Sequence, residues 1–193
     1  MHQQIGLFFG SFNPIHNGHL IIASSILEQA GLSKVGFVVT PQNPFKPSKS
    51  LLHEFDRYDM VKAAIADNSK LEVTDVEFHL PRPSYTIDTL EHLTAKFPEK
   101  EFKLIIGQDN LESFHKWKGP DLILDRYSLL VYPRPGAKEN ELMQHPRVKM
   151  INAPLIDISA TFIRDLIQKQ KSIRYLVPEV VEEIILRKGF YLS

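Results

Sequence analysis

His16 and His19 stand three residues apart, on either side of Gly18, within the stretch IGLFFGSFNPIHNGHL at residues 5–20. If two such imidazoles straddle a helix start, both can face one ligand. Protonated or neutral, each can donate a hydrogen bond to a phosphate oxygen. The flanking pattern predicts that placement. An apolar run over 5–9 stops at Gly10, and a polar loop with Pro14 follows. Leu20, Ala23, Leu27 and Ala30 then recur on one helical face, with Ile22 and Ile26 beside them. Ligands in α/β folds bind at the carboxyl ends of strands. Helix N-termini there offer free N–H groups to anions. Gly10 lets a phosphate or ribose approach the main chain closely.

Two more junctions of this kind follow. Ile158-Ser159-Ala160-Thr161-Phe162-Ile163-Arg164 has Ser159 as an N-cap, with Arg164 one turn into the helix and able to fork onto a phosphate. Gly107-Gln108-Asp109-Asn110 follows an apolar run and suits a carboxylate that binds a ribose hydroxyl. Trp117 can offer a ring face to a heterocycle. Each has a plainer reading: a surface and a packing histidine, a capped helix with a solvated arginine, a capping aspartate, a core tryptophan. In a parallel sheet the three junctions share one edge, and that convergence favours an anion site. A zinc site gains no support, because no cysteine helps and a third ligand is unassigned.

The elements that must position these residues are readable as alternating patterns. Strands are predicted over 5–9, 35–40, 71–78, 102–106, 127–132 and 148–152. Helices are predicted over 18–30, 55–66, 86–97, 109–116, 161–170 and 179–187. Such alternation implies an α/β fold with a mostly parallel sheet and flanking helices. The loop PQNPFKPSKS over 41–50 and the excursion over 133–147 interrupt it. Pro178 fits a first helical turn and Gly189 a helix stop.

Composition narrows the partners. The 193 residues suit one domain over 1–193, with a C-terminal helical segment from about 159 packed on it. Lys plus Arg equals Asp plus Glu at 23 each, so no global basic field argues for nucleic acid. With no cysteines, thiolate nucleophiles and disulfides are excluded. The N-terminus lacks a secretory pattern, and no apolar run is long enough for a membrane span, so a cytoplasmic setting is expected.

GSFNPIHNGHL resembles the G-[GS]-[ST]-F-[DN]-P-x-H-x-G-H signature of the HxGH nucleotidylyltransferase superfamily. ISATFIR resembles its second signature, I-S-S-T-x-[IV]-R, with Ala160 where Ser is common. Within that superfamily the chain is most similar to bacterial nicotinate-nucleotide adenylyltransferases, through SYTIDTL (84–90), GQDNLESFHKW (107–117) and Arg134-Pro135-Gly136. The resemblance implies a Rossmann-like, doubly wound sheet. It also implies transfer of the adenylyl group of ATP to nicotinate mononucleotide, with Mg²⁺ carried mainly by the phosphates. His16, His19, Lys46 and Arg164 would be catalytic. Gly10, Ser11, Phe12, Asp109, Ile158 and Ser159 would join the histidines and Arg164 around ATP. Ser84, Tyr85, Thr86, Trp117, Lys118 and Arg134 would bind the acceptor. Two departures stand out. Asn43-Pro44-Phe45-Lys46 replaces the usual Pro-Pro-His-Lys, and Lys118 stands where many relatives have an aromatic. Nicotinamide mononucleotide or phosphopantetheine as acceptor, an idle nucleotide-binding module and a homo-oligomer all stay open.

Overall fold

A computed structural model describes residues 3–41 and 51–192. Six strands form one sheet: β1 (Gln3–Gly10), β2 (Lys34–Val39), β3 (Leu71–Thr74), β4 (Lys100–Gly107), β5 (Ser128–Tyr132) and β6 (Val148–Met150). Their order is β3-β2-β1-β4-β5-β6, and every pairing is parallel, beyond the mostly parallel sheet expected. The described helices are α1 (Asn17–Gln29), α2 (Glu54–Ala64), α3 (Thr86–Lys96), α4 (Gln108–Glu112), α5 (Pro120–Arg126), α6 (Ala160–Gln168) and α7 (Glu179–Lys188).

A parallel sheet is covered on both faces, so its strands read as apolar runs. Side chains alternate between two cores. Phe8, Ile105, Leu130 and Tyr132 enter one core with Ile22, Ile26, Met60, Ile163 and Ile185 from α1, α2, α6 and α7. Leu7, Leu104, Ile106 and Val131 enter the other with Ile87, Leu90 and Ile123 from α3 and α5. The C-terminal helices therefore share a core with the first strand. Strand order reverses between β1 and β4, and a crevice opens at such a switch point.

Three sequence expectations need correction. The strand expected over 71–78 ends at Thr74, whose Oγ1 accepts the Val76 N–H at 3.2 Å; a 3-10 turn over Val76–His79 turns Glu77 inward. The helix expected over 109–116 is two pieces, α4 and a 3-10 turn over Phe114–Lys116, broken where the Ser113 N–H returns to the Asn110 carbonyl. Helix α5 was not anticipated, although Gly119 at φ 61 and Pro120 at its first position are sound start signals. Gly189, at φ 64, does end α7.

Candidate active site

The loop between β1 and α1 carries the histidines. His16 is the N-cap residue of α1 and His19 lies in its first turn. Their rings stack with centroids 3.6 Å apart and planes 26° apart. The His16 N–H donates to His19 Nδ1 at 3.3 Å, which assigns the proton of a neutral His19 to Nε2. His16 is buried and its Nδ1 makes no hydrogen bond among the described residues. Burial, and then the nearby Arg134 charge, push His16 down to about 4. Burial, and then the neighbouring His16, hold His19 well below its usual value. Both rings are therefore neutral at pH 7, which narrows the earlier protonated-or-neutral reading.

The reason for Gly10 also changes. A Cβ there would come within 2.8 Å of the Phe12 ring, so the glycine makes room for phenylalanine. Phe12 has φ 46 and is buried against Phe8, Phe37 and His19, so its side chain is core. Only its main chain can meet a ligand.

The same loop is held from two sides, by Arg57 and Tyr191, which sequence reasoning missed, and by Arg164, which it assigned to phosphate. Arg57, on α2, is fully buried. Its Nη1 donates to the carbonyls of Ser11 at 2.6 Å and Thr40 at 2.8 Å, its Nη2 to Pro41 at 2.8 Å, and its Nε to Leu52 at 2.9 Å. One guanidinium thus ties together the chain leaving β1 and the chain leaving β2. From the C-terminal side, Arg164 Nη1 donates to the Asn13 carbonyl at 2.8 Å, and Tyr191 Oη donates to Asn13 Oδ1 at 2.9 Å. Arg164 Nη2 also reaches Thr161 Oγ1 at 3.2 Å. Ser159 caps α6 by accepting the Phe162 N–H at 3.2 Å, and Ile158 is half-buried against the same core as Phe8. The only sequence signal for Arg57 was its spacing with Met60 and Val61 on the buried face of α2.

Beside this loop lies a cavity of about 370 Å³, within the usual range for small-molecule sites. It opens at the switch between β1 and β4. Gly10, Ser11, Ser84, Tyr85, Thr86, Trp117 and Lys118 line it, which brings together most of the residues expected around the acceptor. Trp117 is half-buried, its ring 5.2 Å from Phe114. Lys118 pairs with both Asp88 oxygens at 2.9 Å and lies over the Tyr85 ring. Thr40, Glu77 and Tyr132 also line the cavity and were not anticipated. Phe8 and Tyr132 link the cavity wall to the histidine loop, with the Phe8 and His19 rings 6.0 Å apart. Asp109 and Arg134, expected on different ligands, face each other at 3.7 Å, and Asp109 does not cap α4. Lys46 lies outside the described residues, as does Phe45. Among the described residues no helix is long and apolar enough to cross a membrane.

A three-layer α/β fold with phosphate-suited side chains at its switch point defines a nucleotide-handling protein of the Rossmann-like class. Residues 7–166 match the cytidylyltransferase-like family model. The chain belongs to that family. It is 56% identical over 189 residues to a probable nicotinate-nucleotide adenylyltransferase of Cytophaga hutchinsonii, covering 98% of each chain. It is 48% identical over 191 residues to one of Flavobacterium johnsoniae, covering 98% of this chain and 99% of the relative. In fold it is similar to the Plasmodium falciparum nicotinic acid mononucleotide adenylyltransferase complexed with NaAD. That match has a TM-score of 0.84 at 21% identity and covers 98% of both chains.

Proposed function

We propose that this chain transfers the adenylyl group of ATP to nicotinate mononucleotide, forming deamido-NAD and pyrophosphate. The observation that carries this reading is one continuous edge: a neutral histidine pair at a helix start, joined through Phe8 and Tyr132 to a cavity of about 370 Å³ walled by Trp117 and the start of α3. It is supported by relatives that bear this name over nearly their whole length.

In the reaction a phosphate oxygen of the acceptor forms a bond to the α-phosphorus of ATP. The bond from that phosphorus to the bridging oxygen breaks, and pyrophosphate leaves with the electron pair. The attacking phosphate is already an anion at neutral pH, so no base need take a proton. Rate then depends on alignment and on stabilising charge. We assign His19 Nε2–H, and His16 beside it, to donate to the phosphoryl oxygens. Arg164 and the Ser159 turn hold the outer phosphates, Arg164 retaining a further N–H on each terminal nitrogen. The backbone of Gly10, Ser11 and Phe12 and the half-buried Ile158 line the ATP side, and Asp109 takes a ribose. Trp117 stacks on the pyridine ring. Ser84, Tyr85, the N–H groups near Thr86 and Lys118, and Arg134 complete the acceptor side. Lys46 is assigned to the phosphates on the family resemblance alone. Mg²⁺ enters as part of the ATP substrate, bound by phosphates and water as is usual for this ion. We place the reaction in the cytoplasm, with ATP as co-substrate.

The test is to incubate the protein with MgATP and nicotinate mononucleotide and quantify both products. Equal amounts of pyrophosphate and dinucleotide are expected. Pyrophosphate without dinucleotide, or neither, would overturn the reading.

A further inference from the structure

Asn13 gathers three separate parts of the chain beside the histidine pair. It is buried, and its main-chain carbonyl accepts Arg164 Nη1 at 2.8 Å. Its Oδ1 accepts the Leu52 N–H at 3.3 Å and the Tyr191 hydroxyl at 2.9 Å. A main-chain N–H can only donate, so Leu52 fixes which side of the amide faces these partners. Tyr191 must then supply the proton of its own bond. Burial raises the Tyr191 pKa, although the Arg164 and Arg57 charges pull the other way, so the phenol keeps that proton at neutral pH.

Tyr191 reaches Asn13 from beyond the last helix by a strained route. Gly189 ends α7, and two residues later Tyr191 has φ 64, a value that a bulky side chain rarely adopts. Such strain persists only where the surroundings over-determine it, and it gathers at functional sites. Here the surroundings are explicit. The Phe190 N–H donates to the Ile185 carbonyl at 3.1 Å, and Lys188 Nζ holds Asp56 of α2 at 2.7 Å. The Tyr191 ring packs in the same core as Phe12 and Ile15 of the histidine loop. Packing alone would be served by a phenylalanine; the hydroxyl is directed at Asn13.

Arg164 is where this contact meets the chemistry. Among the described residues it is held by the Asn13 carbonyl and by Thr161 Oγ1, and by no carboxylate. Both acceptors are neutral, so the charge of the guanidinium remains available to an anion. Its direction follows the Asn13 carbonyl, and the Asn13 side chain fixes that carbonyl in turn. We propose that Tyr191 is a positioning residue for Arg164: its hydroxyl holds Asn13, and Asn13 holds the guanidinium towards the outer phosphates of ATP. This deepens the assignment of Arg164 above and rests on it.

The test uses Y191F, which keeps the ring and deletes only the hydroxyl. Binding of MgATP is measured by calorimetry without acceptor, so no turnover intervenes, at a temperature where circular dichroism shows full folding. Loss of this one hydrogen bond is expected to weaken MgATP at least about fivefold and to leave nicotinate mononucleotide within about twofold. A purely structural hydroxyl would lower the unfolding midpoint without that split. Asn13→Ala removes the acceptor instead of the donor, keeps the main-chain carbonyl, and should show the same split if Y191F does not fold. Arg164→Lys separates indirect from direct action. Residues in one network are not additive, so Y191F in the Arg164→Lys background should weaken MgATP by less than about twofold more. The full loss in both backgrounds would overturn the proposal, as would unchanged MgATP binding in Y191F or Asn13→Ala. If Arg164→Lys weakens MgATP and Y191F does not, only the role of Tyr191 fails. If Arg164→Lys itself leaves MgATP binding unchanged, the phosphate assignment of Arg164 fails, and this inference with it.

Discussion

The main-chain N–H of His16 donates to Nδ1 of His19 at 3.3 Å while the two rings stack 3.6 Å apart. One hydrogen bond therefore sets the tautomer of His19, and the stack opposes charge on either ring. The folded pKa of His16, about 4, lies below its ordinary value of 6.5, so protonation favours the unfolded chain. The stability this neutral histidine contributes is complete above about pH 6.5 and is lost as pH falls towards about 4. Urea unfolding should give a stability on the order of 2 kcal/mol lower at pH 5 than at pH 7 from this group alone. His16→Gln should shrink that difference. An identical pH dependence in the variant would contradict a buried neutral His16.

Replacing His19 by alanine removes the donor assigned to the α-phosphate. Turnover should drop at least about 100-fold, the scale of losing one transition-state hydrogen bond. The effect should fall on kcat with ATP KM changed far less, and far-ultraviolet circular dichroism should be unchanged. A variant with near-full kcat would remove His19 from the mechanism.

Arg57 makes four hydrogen bonds to main-chain carbonyls, three of them at the ends of β1 and β2. Arg57→Met leaves those buried oxygens without donors. Denaturant titration should show a loss of at least about 3 kcal/mol. Lysine cannot reproduce the fork, so Arg57→Lys should recover only part of it. If methionine unfolds at the same urea concentration as the unaltered protein, the clamp is energetically idle.

Much of this is legible in the sequence. The apolar runs marked five of the six strands to within two residues at each end, because strands buried on both faces carry an unbroken hydrophobic signal. Ser159 as a cap and Gly189 as a stop were readable because local chemistry decides them. What escaped was non-local. Nothing near Arg57 in sequence reveals that Ser11 and Thr40 await its guanidinium. Glu77 read as strand because Leu71 to Phe78 is apolar enough to extend; only tertiary packing against Thr89 turns it inward. Gly10 read as room for a ligand; the space a Cβ would take there belongs to the Phe12 ring two residues on, while the Gly10 main chain still lines the cavity.

The most direct measurement compares kcat/KM for nicotinate mononucleotide and nicotinamide mononucleotide with saturating MgATP, followed by pyrophosphate release. A pocket arranged for a carboxylate rejects the amide, and the account predicts at least about a 100-fold preference for the acid. Equal efficiency, or preference for the amide, would contradict the acceptor assignment at the start of α3.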